Sequence, residues 1–235
     1  MAQHNYQKSR LKLFEDKRLN EIWIHPKDGS KAFHKPAKEC AAEKEFQTTA
    51  LEHFQEKIES DASRAFRVKG PWSQEQHDAI TAWLALHVLR NPKTRREIFD
   101  SREAWNNRFR DEYDKELLFS GYFNSVRHMH CATNRFLITS DFPVVDLWAD
   151  LPKGEKHLVR CFAKSPEVVV LLWGDGMPEP RFPIPVDDYF NAMVWTMADK
   201  FVYSHRGDLP IEILKEIAQT FEMWPVEETI GFCVG

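Results

Sequence analysis

The chain has 235 residues, of which 43% are hydrophobic and 29% charged, with a formal net charge of −4. That length buries a sizeable core, and a charge balance this even gives no support to nucleic acid as a partner. No apolar run approaches the roughly 20 residues of a membrane helix, and the polar, basic opening MAQHNYQKSR does not read as a secretory signal.

The four cysteines, Cys40, Cys131, Cys161 and Cys233, form no CxxC pair and read as reduced thiols of a cytoplasmic protein. The first element is a hairpin: a strand over Glu21–His25, a turn through Asp28-Gly29, and a second strand around Ala32-Phe33. From Pro36 to Val68 apolar residues recur at helical spacing through Leu51, Phe54, Ile58, Ala62 and Phe66, with Gln55 and Glu59 in or beside that stripe. Residues 73–90 form the clearest helix. Ser73 and Gln76 have capping-box spacing, and Asn91-Pro92 ends the run. Its residues are apolar nearly all round, which predicts a buried helix. The spacing predicts a further amphipathic helix over 93–119, with Ile98, Trp105, Phe109 and Tyr113 inward and a charged face outward.

Short β-rich runs follow over about 134–174. The stretch at 167–173 is continuously apolar, as suits a central strand covered on both faces. After a Pro/Gly-rich loop, helices are expected at 186–203 and 210–222. The order implies an α+β fold in a single domain, 1–235: a helical layer on a small mixed sheet, with an N-terminal hairpin.

Three charged residues stand out. Asp141 follows the apolar run Phe136-Leu137-Ile138 and precedes Pro143. It fits either a turn-forming Asp that accepts main-chain N–H groups, or an acid, base or metal ligand in a partly desolvated pocket. Arg90 ends the buried helix, where it either caps that helix or meets a carboxylate. Glu59 borders the stripe of its own helix, and either pairs with Arg90 or reaches water. His87, one turn before Arg90, reads as a hydrogen-bonded core histidine. The Arg127-His-Met-His-Cys131 run places His128 and His130 on one strand face, but two histidines fall short of a tetrahedral metal site, so no metal is assigned. No HExxH, GxSxG, GxGxxG or P-loop is present.

The phrases "KLFEDKRLNEIWIHPKDG", "KPAKECAAEKEF", "KIESDASRAF", "LRNPKTRRE", "FLITSDFPVV" and "FNAMVWTMADKFVYS" occur in that order. Together they resemble the bacterial and phage family of unknown function catalogued under the number four-two-three-eight, over about residues 4–205. The resemblance implies recurrent polar residues at Glu43, Glu59, Arg90, Asp141 and Asn191. It brings no established activity. The opening here, "HNYQKSRLKLF", lacks the proline and intervening apolar residues of the family's first phrase, and "CFAKSP" replaces its usual Pro-Leu-Ser-Pro-like phrase.

Two functions are compatible with these residues. In one, the chain is a binding or inhibitory partner in phage–host conflict, with a buried Glu/Arg/Asp network, a protein partner and no cofactor. In the other, it is a metal-dependent hydrolase or nuclease-like enzyme with Glu59 and Asp141 as acids, Arg90 as a clamp and a divalent metal.

Overall fold

The computed structural model describes residues 2–4, 8–40, 42–44, 49–68, 72–124, 127–132, 136–150, 156–174 and 176–220. The fold is α+β. Helices α1 (Lys8–Leu11), α2 (Thr49–Phe66), α3 (Gln74–Arg90), α4 (Pro92–Ile98), α5 (Arg102–Asn124), α6 (Val186–Met197) and α7 (Ile211–Thr220) surround two four-stranded sheets. The strands are β1 (Ala2–His4), β2 (Ile22–Pro26), β3 (Phe33–Lys35), β4 (Ala42–Lys44), β5 (Arg127–Ala132), β6 (Thr139–Ser140), β7 (Val144–Asp150), β8 (Lys156–Ser165), β9 (Val168–Trp173) and β10 (Phe201–Ser204).

One sheet runs β5-β9-β8-β7, the other β3-β2-β10-β6, and β1 pairs with β4 separately. Every described strand pair is antiparallel, which corrects the mixed sheet expected from sequence. Within β7-β8-β9 the cause is connectivity. Strands β8 and β9 are joined by a tight turn, and β7 is followed directly by β8; short connections can join only antiparallel neighbours. The expected extent of 134–174 also changes. Strand β5 extends the sheet on the N-terminal side, while Thr139–Ser140 belongs to the other sheet.

Strand β9 is an inner strand with both its faces buried, as its unbroken apolar run predicts. On one face of the large sheet, Phe162 of β8 packs on Phe66 of α2 and Trp83 of α3, with ring centroids 5.4 and 5.3 Å apart. The hairpin β2–β3 forms with Gly29 at φ +83°, the left-handed conformation its turn requires.

Helix boundaries differ from the periodicity in three places. The first long helix starts at Thr49, not Pro36: a 3₁₀ turn at Ala37–Glu39 ends at an extended Cys40, and β4 follows. The expected 93–119 helix is two helices, broken at 99–101, where Ser101 Oγ accepts the Ala104 N–H at 3.0 Å and restarts the chain as α5. The expected 186–203 helix stops at Met197, and residues 201–204 become β10 between β2 and β6. No helix among the described residues is long and apolar enough to cross a membrane.

Candidate functional site

Helices α2 and α3 pack side by side, and this brings Glu59 and Arg90 together. Arg90 Nη1 donates to Glu59 Oε1 at 2.5 Å, with the two side chains 10% and 20% exposed. The pair sits at the rim of the helix seam, where the stripe of α2 meets the last turn of α3. A guanidinium there also faces the negative end of its own helix.

Asp141 has other partners. It is 3% exposed and accepts three main-chain hydrogen bonds: Asp199 N–H at 2.9 Å, Lys200 N–H at 2.8 Å and Phe201 N–H at 3.2 Å. Burial raises its pKa from the ordinary value of an Asp, against the opposing pull of those three donors. It therefore joins the end of β6 to the start of β10 and receives the chain as it leaves α6. Lys27, on the hairpin turn, donates from Nζ to the carbonyls of Trp195 and Thr196 at the C-terminal end of α6. Burial lowers the Lys27 pKa, and the nearby Asp141 charge opposes that shift.

Asn191, on α6, works like a missing strand partner. Its Oδ1 accepts the Ile138 N–H and its Nδ2 donates to the Phe136 carbonyl, both at 3.0 Å. His87 is 1% exposed, with its ring centroid 4.4 Å from that of Trp83. Glu43 lies on β4 opposite Gln3, and His128 and His130 lie on β5; the side chains of these three fall outside the described residues. The structure thus joins Glu59 to Arg90, places Asp141 and Asn191 at the junction of α6 with the small sheet, and puts no direct bond between the two groups.

The most buried ionic cluster was not singled out from sequence. Arg160 on β8 is 3% exposed. Its Nε and Nη2 bond the two carboxylate oxygens of Asp146 on β7 at 2.9 and 3.0 Å, and its Nη1 donates to Glu116 Oε1 and Ser120 Oγ on α5, each at 2.8 Å. Burial alone would lower the Arg160 pKa; Asp146 and Glu116 reverse that and raise it. The signal available in the sequence was a lone charge inside each of two apolar strands, "VVDLW" and "HLVRCFA", together with Glu116 and Ser120 one turn apart on a helix.

A second buried polar group joins His25 Nε2 to Ser204 Oγ at 3.0 Å and the Arg206 carbonyl at 3.1 Å. Ser204 is fully buried and its hydroxyl donates to the Arg206 carbonyl, so this Ser–His contact is a structural bond and not an exposed nucleophile with its base. Among the described residues, no group of three or more His, Cys, Asp or Glu side chains is placed to hold a metal ion. Comparison with protein-family models, with curated proteins and with solved structures finds no match to the chain.

Proposed function

We propose that the chain is a non-catalytic binding protein, acting on a protein partner through its surface while Glu59, Arg90, Asp141 and Asn191 hold the fold. One observation carries this reading: both carboxylate oxygens of Asp141 are engaged by main-chain N–H groups at 3% exposure. A general acid or metal ligand needs an oxygen within reach of substrate or ion, and here both point into the turn at 199–201. The Glu59–Arg90 pair supports the same reading, since its members satisfy one another across a helix seam. The resemblance to family four-two-three-eight suggests the setting, a bacterial or phage conflict in which the partner is a host or phage protein.

The test is direct. The purified chain is incubated with Mg²⁺ or Mn²⁺ and single-stranded DNA, RNA, nucleoside triphosphates and a chromogenic phosphodiester, beside Glu59→Gln and Asp141→Asn. The expected result is no metal-dependent turnover by any of the three. Turnover by the parent chain that a folded Glu59→Gln loses would overturn the proposal.

A further inference from the structure

Strand β8 is irregular at its C-terminal end. Ala163 pairs with Val169 and Ser165 with Val168, so Lys164 is the extra residue of a bulge. A bulge takes a residue out of the ladder and re-aims its side chain. The carbonyls of Ala163 and Lys164 are both bound by a side chain: Arg10 Nη2, on α1, donates to each at 2.8 Å. The Arg10 guanidinium lies over the Phe66 ring, 4.1 Å from its centroid, and the residue is 3% exposed. A fixed, desolvated cation therefore sits at the bulge.

The Lys164 side chain runs from the bulge to the link between α2 and α3. Its Nζ donates to the Val68 carbonyl at 3.0 Å and lies 5.8 Å from the centroid of the Trp72 ring. Trp72 is buried and walls off one side, while Lys164 is half-buried and keeps part of its surface in water. Among the described residues no carboxylate bonds the Lys164 amine. Burial, and then the Arg10 charge, lower its pKa from that of an ordinary lysine. Lys27 is the contrast. Burial lowers its pKa too, but the Asp141 charge opposes the shift, and its Nζ donates to two carbonyls at the end of α6.

We infer that Lys164 is a site of covalent acylation, with a small acyl phosphate as the donor. The inference goes beyond the reading of the chain as a binding protein and does not depend on it. Three features select this chemistry. The nucleophile is the free amine and not the ammonium, and a cation beside a partly desolvated lysine favours the free amine. The bond to the Val68 carbonyl uses a hydrogen of the amine, so it holds the nitrogen in place and leaves the lone pair free to attack. The Arg10 charge attracts an anionic donor. An amide product also removes one of two neighbouring cations, whereas a protonated imine formed from an aldehyde would keep both.

In the transfer, the Lys164 nitrogen lone pair attacks the acyl carbon. A C–N bond forms, and the bond from that carbon to the phosphate oxygen breaks. The phosphate leaves with the electron pair and takes up the proton that the nitrogen sheds. Nothing is oxidised or reduced. The amide keeps one N–H, which still donates to the Val68 carbonyl, so the fold survives the modification.

The experiment incubates the full chain with acetyl phosphate at neutral pH and reads the acetylation rate of each lysine by mass spectrometry of the digest. Lys164 is expected to react about tenfold or more faster than Lys31, an exposed lysine of the hairpin turn. The lead should shrink with N-acetoxysuccinimide, an uncharged donor, and added salt should slow the acetyl phosphate reaction at Lys164. In guanidinium chloride the two lysines should react alike. Arg10→Met, with its circular dichroism spectrum intact, should bring Lys164 down to the Lys31 rate; if that variant unfolds, the comparison of donors on the parent chain decides. Equal rates in the folded chain, a lead as large with the uncharged donor, indifference to salt, a lead that survives unfolding, or an unchanged Lys164 rate in folded Arg10→Met would each overturn the inference.

Discussion

Arg160 shows what a buried charge costs and what keeps it in place. Two carboxylates and a hydroxyl from two elements, β7 and α5, engage its guanidinium on β8, so the bond pattern fixes where α5 lies on the sheet. Taking out one member leaves the others buried and unmatched. Arg160→Met is therefore expected to cost about 3–5 kcal/mol in urea unfolding, while the triple change Arg160→Met/Glu116→Leu/Asp146→Leu recovers most of that loss. If the single and triple variants are equally unstable, the cluster is not the source of the cost.

Asp141 is a milder case. Asp141→Asn replaces one acceptor oxygen with an amide that faces main-chain donors, and the expected loss is about 1–3 kcal/mol by the same measurement. Asp141, Arg90 and Glu59 were legible because each interrupts an apolar pattern at an element's end or border. Arg160 was not, because strand register sets Asp146 directly opposite it across β7 and β8, and only tertiary packing brings Glu116 and Ser120 to it from α5.

Elements that carry their own stop signals were the ones periodicity placed well. The helix α3 begins where Ser73 Oγ accepts the Gln76 N–H and the Gln76 side chain accepts the Ser73 N–H in return, and it ends at an extended Asn91 before Pro92. Ser73→Ala removes half of that box. It is expected to lower stability by about 1 kcal/mol, read as a shift in the urea midpoint at unchanged slope. The boundaries that periodicity missed are set by tertiary contacts. Phe99 continues the apolar spacing of 93–119, yet it turns inward onto Trp105, at 4.9 Å between ring centroids, and the helix breaks there. Phe201 likewise continues the stripe of α6. Three N–H groups over 199–201 are taken by Asp141, however, and the chain goes on as the inner strand β10. Local pattern cannot report a carboxylate some sixty residues away.

Across the whole molecule, buried ionisable groups predict how stability changes with pH. Burial lowers the pKa of His25, His157 and His205, so the folded state keeps them neutral where the unfolded chain, titrating near 6.5, takes up protons. Stability is then full above about 6.5 and is lost as pH falls through the depressed folded values. Asp141 works in the opposite sense: its folded pKa is raised, so protonation favours the fold as pH drops, but it is one carboxylate against three imidazoles. At the alkaline end, burial pushes Cys40 and Tyr113 up to about 12 from ordinary values of 9.0 and 10.0. The unfolded chain ionises these groups first, and stability falls again above about pH 9. The midpoint of thermal unfolding should therefore form a plateau between about pH 7 and 8.5, with a decline on each side. His25 lies at the seam of β2 and β10, bonded to Ser204 and the Arg206 carbonyl with the Asp208 charge nearby, while His157 lies in the large sheet. Replacing His157 with Leu should flatten the acid limb without moving the alkaline one. An acid limb that keeps its slope in that variant would assign the loss to other groups.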